Sequence, residues 1–164
     1  MLPDLLRPGL KLVVCGTAAG KQSAQVQQYY AKRDNKFWAT LYAVGLMPVQ
    51  LSSHEYGQLT HYGIGLTDLV KGKAGMDHLL TAVDFEFESF RQKINQYQPA
   101  YVCFNGKRGG KEFLGKKVDY GLQQELIGTT KLFVAPSTSG AANGFWNIDY
   151  WRELADLCSQ IEAS

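Results

Sequence analysis

A run of small residues, GTAAG at positions 16–20, is the segment of this sequence best suited to chemistry. Its glycines and alanines leave the backbone uncovered, so that N–H groups can donate hydrogen bonds to an anionic or polarised ligand. The run follows apolar residues at 12–15, which are typical of a strand buried on both faces of a parallel sheet. Ligands bind at the carboxyl ends of such strands in α/β proteins. We therefore expect a pocket at a loop formed by residues 16–20.

This loop departs from the two common glycine-rich motifs that bind nucleotides. A phosphate-binding P-loop has four residues between its glycines and a Ser or Thr directly after its Lys. Here three residues separate Gly16 from Gly20, and Gln22 follows Lys21. The dinucleotide fingerprint G-x-G-x-x-G is also absent from the sequence. These departures disfavour an NTPase, although a nucleotide-binding α/β enzyme stays open as an alternative.

The hydrophobic periodicity of the chain predicts strands that alternate with helices. The predicted strands or strand-like segments are residues 12–15, 63–70, 100–104 and 131–135. The predicted helical segments are residues 35–44, 54–61, 84–97, part of 107–117, and a final helix capped by Asn147. Such alternation is typical of a parallel sheet covered by helices. We expect a single domain over residues 1–164, folded as a three-layer α/β/α sandwich with a short, mainly parallel central sheet.

The composition limits the classes of function. Apolar residues make up 45% of the chain and charged residues 20%, as in ordinary globular proteins. Because the net charge is only +2, contacts with nucleic acid would depend on local basic patches. The three cysteines form no C-x-x-C pair and no acidic cluster stands out, so we expect neither a metal nor a cofactor. Without a membrane-length apolar run or a signal peptide, we expect no membrane association and a cytoplasmic location.

Five short motifs occur in order along nearly the whole chain. The first two are GTAAG at 16–20 and NKFW at 35–38, and the others are GLTDLV at 65–70, YQP at 97–99 with FNGK at 104–107, and PSTSG at 136–140. Together they resemble the mismatch-specific uracil/thymine DNA glycosylases, a family of the uracil-DNA glycosylase superfamily. GTAAG is an atypical form of that family's G-I-N-P-G, and its spacing to the N-[RK]-F-W motif matches without a gap.

The resemblance implies the fold of that superfamily and a monofunctional DNA-repair enzyme. Such an enzyme hydrolyses the N-glycosidic bond of uracil in DNA and leaves an abasic site, with other deaminated or mismatched bases as further candidate substrates. The base must first leave the stack, which is easiest for a mispaired base. The expected partner is uracil-containing or mismatched DNA, bound by a monomer that would be associated with the nucleoid if the source is bacterial.

The base-binding residues implied by the resemblance surround the GTAAG loop. Tyr30 corresponds to the family's aromatic stacking residue, although it could instead be a tyrosine that packs under the loop. Backbone N–H groups of Thr17 and Tyr30 are expected to stabilise charge on the leaving base. Ser23 is expected beside the pyrimidine 5-position, with a solvated loop serine as the alternative. The expected base-binding set is Gly16, Thr17, Ala18, Ser23 and Tyr30.

One departure from the family pattern concerns catalysis. The asparagine of G-I-N-P-G is replaced by Ala18, whose methyl group cannot hydrogen-bond a water molecule. We expect Asp68 to take over, as a base and as a negative charge that favours cationic sugar character. In the alternative interpretation Asp68 caps the following turn. If nothing replaces the asparagine, the protein binds uracil-containing or abasic DNA with weak or no catalysis.

Polar and basic segments farther along the chain are expected to hold the DNA. The PSTSG motif suits phosphate contacts, and the small residues after it occupy the family's wedge position, where Asn143 is the candidate. Lys107 and Arg108 form a basic flank for phosphates or, alternatively, a solvated charged face. Asn105 is expected to orient the adjoining loop. The expected DNA-binding residues are Lys107, Arg108, Ser137, Thr138, Ser139, Gly140 and Asn143.

Overall fold

A computed structural model describes residues 2–72, 74–75, 80 and 85–161 of the chain. The elements of the amino-terminal half are β1 (Leu12–Ala18), α1 (Lys21–Val26), α2 (Phe37–Ala43), the 3₁₀ helix Ser53–Tyr62 and β2 (Ile64–Val70). Those that follow are α3 (Phe87–Tyr97), β3 (Tyr101–Asn105), α4 (Lys107–Leu114), β4 (Gly121–Ile127), β5 (Thr130–Ala135), the 3₁₀ turn Gly140–Phe145 and α5 (Ile148–Ser159).

The described strands form one sheet in the order β2-β1-β3-β5-β4. Strands β2, β1, β3 and β5 are parallel, and β4 pairs antiparallel with β5 at the edge. The predicted mainly parallel sheet is therefore confirmed. The periodicity does not predict β4, because only its two end residues are buried and its sequence lacks a continuous apolar run.

Strand β1 extends three residues beyond its predicted end and takes in the first part of the small-residue run. Its pairing with β2 continues through Gly16–Asp68 to Ala18–Val70, whereas its pairing with β3 ends at Cys15–Phe104. The prediction that residues 16–18 belong to a loop is wrong, because the β2 ladder holds them in an extended conformation. These residues form the carboxyl end of the strand, and α1 begins directly after Gly20.

Several helix boundaries follow signals in the sequence. Helix α5 begins after Asn147, whose side-chain oxygen accepts a hydrogen bond from the Asp149 N–H at 3.0 Å, as the predicted cap requires. Helix α3 ends at Tyr97, ahead of Pro99, and the part of the predicted helix before residue 85 lies outside the described residues. Helix α1 is not predicted, because Ser23 is its only buried residue and no apolar stripe marks it.

Apolar side chains cover both faces of the sheet. One core contains Phe37 of α2 and Trp151 of α5, and the other contains Phe90 and Ile94 of α3. Full burial of a large apolar side chain contributes about 1.5–3 kcal/mol, so both helical layers stabilise the sheet. The predicted three-layer α/β/α architecture is confirmed. No helix in the described part of the chain is long and apolar enough to cross a membrane.

Two glycines bring α4 close to the sheet. A Cβ at Gly110 would lie 2.8 Å from Cγ2 of Val134, and a Cβ at Gly109 would lie 3.2 Å from Cδ1 of Leu69. A larger residue at either position would therefore push the helix away from the strands. This packing sets the turn between β3 and α4 beside the carboxyl ends of the neighbouring strands, where the candidate site lies.

Candidate active site

Residues far apart in the sequence meet at the carboxyl end of β1. Asp68 pairs with Gly16 in the β1–β2 register, and its Oδ1 lies 2.7 Å from the point where a Cβ of residue 16 would stand. The Tyr30 hydroxyl lies 3.3 Å from the same point. The small size of Gly16 thus makes room for a carboxylate and a phenol against the strand. We call Gly16, Tyr30 and Asp68 the carboxylate cluster.

The Asp68 carboxylate is buried, with only 4% of its side chain exposed. Burial raises the pKa of Asp68 above its ordinary value, and the positive charge of Lys71 opposes that shift. An ionised carboxylate with a raised pKa accepts a proton more readily than a solvent-exposed one. The position of Asp68 is therefore suitable for a general base. The Asp68 carboxylate does not face bulk solvent.

Lys71 lies at the centre of the contacts around Asp68. Its Nζ is 3.3 Å from Asp68 Oδ2, 2.7 Å from Asp4 Oδ1, 2.9 Å from the Leu2 carbonyl oxygen and 3.1 Å from the Tyr29 hydroxyl oxygen. Only 10% of the side chain is exposed. The sequence does not predict Lys71 or Asp4 as site residues. Residues 71–75 are predicted to form a basic loop, and Asp4 lies 64 positions from Asp68.

Tyr30 has a strained backbone and a buried hydroxyl. Its φ of 53° is left-handed, which is uncommon for a residue other than glycine. Its ring stacks on Phe37 with centroids 4.0 Å apart, and no side chain or backbone group among the described residues makes a well-formed hydrogen bond with its hydroxyl. Burial and then Asp68 raise the pKa of Tyr30, while Asn105 opposes the shift. Tyr29, by contrast, packs in the core and donates to the Pro3 carbonyl at 2.9 Å.

Ser23 holds the loop that carries Tyr30. Its side chain is buried, its Oγ accepts a hydrogen bond from the Ala31 N–H at 2.9 Å, and its carbonyl accepts one from the Gln28 N–H at 3.1 Å. The alternative of a solvated serine is therefore wrong. In this structure Ser23 acts on the site through the conformation of residues 28–31.

Thr17 and Ala18 differ in how they relate to the carboxylate cluster. The Thr17 side chain is buried toward α4, where its Cγ2 lies 3.7 Å from the position of a Cβ on Gly109. Because successive side chains of a strand alternate between faces, it points away from Gly16 and Asp68. Ala18 pairs with Val70 and is half-buried at the end of β1. Residues 17 and 18 can therefore bind a base through their backbone groups and not through their side chains.

A cavity of about 100 Å³ opens beside the carboxylate cluster. Its lining includes Asp68, Val70 and Lys71 together with Ala19 and Ala24. It lies at the carboxyl ends of β1 and β2, where parallel α/β sheets bind ligands. Within the part of the chain that the structure describes, no group of three or more His, Cys, Asp or Glu side chains is arranged to hold a metal ion.

The loop after β5 is tied to the end of β3 by Asn105. The Asn105 amide donates to Thr138 Oγ1 at 2.9 Å, and its Oδ1 accepts from the Thr138 N–H at 3.0 Å. Asn105 thus holds the loop after β5, while its predicted role in orienting its own adjoining loop stays a prediction. The predicted phosphate contact of the Thr138 hydroxyl is not supported by this structure, because Thr138 is 0% exposed and its hydroxyl is bonded to Asn105. Ser137 and Ser139 are half-buried and lie nearer the surface.

The relationship of this chain to known proteins agrees with its fold. The family model described as the uracil DNA glycosylase superfamily matches residues 3–155. The chain belongs to the uracil DNA glycosylase superfamily. It is also similar to the solution NMR structure of a candidate uracil DNA glycosylase from Methanosarcina acetivorans, with a TM-score of 0.66 and 20% identity over 97% of each chain. At this identity the likeness shows a shared fold, while membership of the superfamily supports a DNA glycosylase role.

The two basic residues expected on the DNA side of this superfamily member differ in their surroundings. Lys107 is exposed, and its Nζ lies 4.4 Å from the centre of the Tyr120 ring. Arg108 contacts Glu112 at 3.2 Å and the Leu80 carbonyl oxygen at 3.1 Å. Because Arg108 binds groups of its own chain, the structure favours an internal role for it, and Lys107 is the better candidate for a phosphate contact.

An exposed aromatic residue stands next to the expected wedge residue. Asn143 is exposed on the 3₁₀ turn and accepts a hydrogen bond from Lys36, whose Nζ also lies 5.5 Å from the centre of the Trp146 ring. Phe145, at the end of that turn, is 74% exposed. The sequence does not single out Phe145, because an irregular turn has no periodicity from which its exposure could be predicted.

A negative charge adjoins the expected phosphate-binding loop. The Asp34 carboxylate occupies the space that a Cβ on residue 140 would need, so this arrangement requires glycine there. Lys32 pairs with Asp34 at 3.8 Å. A phosphate at Gly140 would therefore approach a site that already contains an anion, which makes Ser137 and Ser139 the more favourable donors in this loop.

Proposed function

We propose that the protein is a monofunctional, mismatch-specific type of uracil-DNA glycosylase that hydrolyses the N-glycosidic bond of uracil and leaves an abasic site. The observation that carries this proposal is the buried Asp68 carboxylate, which lies against Gly16 and beside the Tyr30 hydroxyl and also lines a small cavity. The cluster places an acceptor, the Asp68 carboxylate, and a donor, the Tyr30 hydroxyl, next to the same point of β1. These are the groups that a departing pyrimidine and an attacking water require.

The reaction begins with extrusion of the uracil nucleotide from the duplex. Backbone N–H groups of Thr17 and Tyr30 stabilise the negative charge that develops on the base as the C1′–N1 bond breaks. The Tyr30 hydroxyl, buried without a well-formed partner among the described residues, can donate to a carbonyl oxygen of the same base. Asp68 accepts a proton from water, whose oxygen forms the new bond to C1′, and its negative charge stabilises the cationic sugar.

The surroundings of Lys71 support hydrolysis over an amine-dependent mechanism. A lysine that attacks the sugar must be uncharged and free to move. Lys71 Nζ is held in place by two carboxylates and a carbonyl oxygen, so it is not free to move to the sugar. Water is therefore the nucleophile in this proposal, and the product is an intact abasic strand.

DNA is held in this proposal by residues that follow the carboxyl ends of β3 and β5. Ser137, Ser139 and Lys107 contact phosphates, and Asn143 enters the space that the base has vacated. We add Phe145 to that role, because an exposed aromatic ring can stack on a neighbouring base where a small polar residue cannot. The protein acts as a monomer in this proposal.

A single-uracil oligonucleotide tests the proposal. Wild-type protein is incubated with end-labelled duplex, and the strand is treated with alkali to reveal abasic sites. Asp68→Asn and Asp68→Ala are expected to lower the rate of excision by orders of magnitude while the melting temperature changes little. Asp156→Asn, which alters an exposed carboxylate on α5, serves as the matched control and is expected to retain activity. Full activity in both Asp68 variants would remove this carboxylate from the mechanism.

A second candidate function is that of a uracil- or abasic-DNA-binding protein without efficient catalysis. The observation that favours it is Ala18, which stands where the resembling family has its asparagine. The same assay separates the two functions. Retention of uracil-containing DNA in a gel shift, with no alkali-sensitive product from wild-type protein after prolonged incubation, would support the binding protein and overturn the hydrolase.

A further inference from the structure

Four charged side chains form a connected group at the edge of the sheet. Lys71 Nζ lies 2.7 Å from Asp4 Oδ1 and 3.3 Å from Asp68 Oδ2, and Lys93 Nζ lies 2.7 Å from Asp4 Oδ2. We call Asp4, Asp68, Lys71 and Lys93 the four-charge cluster. Its two carboxylates and two ammonium groups balance each other, which burial of charge requires.

The amino-terminal segment contributes directly to this cluster. Leu5 exchanges two backbone hydrogen bonds of 2.9 Å with Leu66 of β2, and this bridge fixes the segment along the edge strand. Asp4 is further held by Thr67, which donates to its Oδ1 at 2.7 Å. The Leu2 carbonyl oxygen accepts from Lys71 at 2.9 Å. Lys71 is thus fixed by groups that lie more than 60 positions away in the sequence.

The two oxygens of Asp68 have different environments. Oδ2 contacts Lys71, and Oδ1 is the atom closest to the position of a Cβ on Gly16. A cation on one oxygen fixes the orientation of the carboxylate and leaves the other oxygen toward the strand and the Tyr30 hydroxyl. Asp4 contacts Lys71 at a shorter distance than Asp68 does, so it is the main anchor of the ammonium group.

We propose that Lys71 is a positioning residue, which keeps the Asp68 carboxylate ionised and oriented toward Gly16, and that Asp4 holds Lys71 in place. This inference rests on the proposed function, because it concerns the carboxylate that accepts the proton from water. It adds the amino-terminal segment to the catalytic apparatus. Lys71 itself does not touch the substrate in this account and acts through Asp68.

Charged and titratable groups face Asp68 from several elements. Lys71 contacts it directly, Lys93 on α3 acts from farther away, and Asp4 opposes its ionisation as a like charge. Further titratable neighbours among the described residues are Tyr29, Tyr30 and Cys15, and burial raises the pKa of each. All three are therefore neutral near pH 7, and within the described part of the chain the charge balance at Asp68 depends on the two lysines and Asp4. Among the described residues Lys71 is the cation in contact with Asp68, so its loss disfavours ionisation of Asp68.

The experiment is the pH dependence of kcat/KM for uracil excision in Lys71→Met, Lys71→Gln and Lys71→Arg. Activity falls on the acid side as Asp68 takes up a proton. Without the lysine charge we expect this acid limb to move to higher pH by about one unit or more, so that activity at neutral pH drops about tenfold per unit and recovers as the pH rises. Lys71→Arg keeps the charge, and its acid limb is expected to stay near that of the wild type.

Two controls separate an electrostatic role from a structural one. Lys116→Met breaks an exposed ion pair with Glu125 away from the site and is expected to leave the pH profile unchanged. Lys71→Gln carries the same expectation as Lys71→Met and serves if the methionine variant does not fold. A neutral variant that lowers kcat equally at every pH, with an unmoved acid limb, would overturn the proposal.

A measurement on the wild-type chain needs no folded variant at position 71. The carboxyl carbon of Asp68, assigned by comparison with Asp68→Asn, is followed by NMR as the pH is changed. The proposal requires an ionised Asp68 at pH 7, and a protonated one there would overturn it. Failure of the proposed function gives a different result, since wild-type protein would then release no uracil at any pH.

Discussion

Replacement of Gly16 by alanine is the most direct perturbation of the carboxylate cluster. The added Cβ would stand 2.7 Å from Asp68 Oδ1 and 3.3 Å from the Tyr30 hydroxyl, although ordinary contact begins at 3.4 Å. The φ of Gly16 is not among the left-handed glycine values, so the cost is steric and does not come from the backbone. Either the carboxylate moves or the strands separate.

The size of the effect follows from how firmly Asp68 is held. Its other oxygen contacts Lys71, so the carboxylate cannot withdraw without loss of that ion pair. Overpacking of this kind costs about 1–3 kcal/mol, which lowers the melting temperature by about 2–4 °C per kcal/mol in a domain of this size. A displacement of catalytic groups by about 1 Å lowers the rate by about 100-fold. We therefore expect a modest loss of stability and a large loss of activity.

The assay combines thermal unfolding with alkali-revealed excision from a single-uracil duplex. Gly57→Ala is the control, because a Cβ at Gly57 would meet no atom within 4 Å. The double variant with Asp68→Ala isolates the contact. When the carboxylate is absent, Gly16→Ala should cost little further stability, which gives a measurable coupling between the two positions. Wild-type activity in Gly16→Ala, or additive losses of stability in the double variant, would refute the arrangement described here.

Two further predictions concern single side chains. Tyr30→Phe removes a buried hydroxyl that lacks a well-formed partner in the described structure. The substitution should therefore raise the melting temperature while kcat/KM for uracil excision falls. A lower melting temperature would contradict the described burial of the hydroxyl. Phe145→Ala should lower kcat/KM for excision from duplex DNA by a factor that corresponds to about 1–3 kcal/mol. The effect on single-stranded DNA should be much smaller, because a single strand has no opposing stack to fill. Leu126→Ala, at another exposed apolar residue, is its control, and equal losses on both DNA forms in Phe145→Ala would argue against stacking.

The sequence by itself determines the architecture and the order of the elements. Apolar runs at 12–15, 100–104 and 131–135 predict the parallel strands, since strands covered on both faces need continuous hydrophobic residues. Asn147 marks the start of α5 through local chemistry that involves its own backbone neighbours. Such signals act over a few residues and can be read without knowledge of the fold. The candidate carboxylate Asp68 is predicted by another route, from the resemblance of GLTDLV at 65–70 and the absence of the family's asparagine at Ala18.

The tertiary structure alone decides which residues meet at the site. Gly16 faces Asp68 only because β1 and β2 are neighbours in a particular register, and a shift by one residue would turn the carboxylate to the other face of the sheet. Lys71 and Asp4 come together because the amino-terminal segment adds to the edge of β2. The burial of Thr138 depends likewise on a partner from another strand, Asn105. Contacts between distant segments produce no pattern among neighbouring residues in the sequence. They depend on strand order and packing, and residue type alone does not predict them.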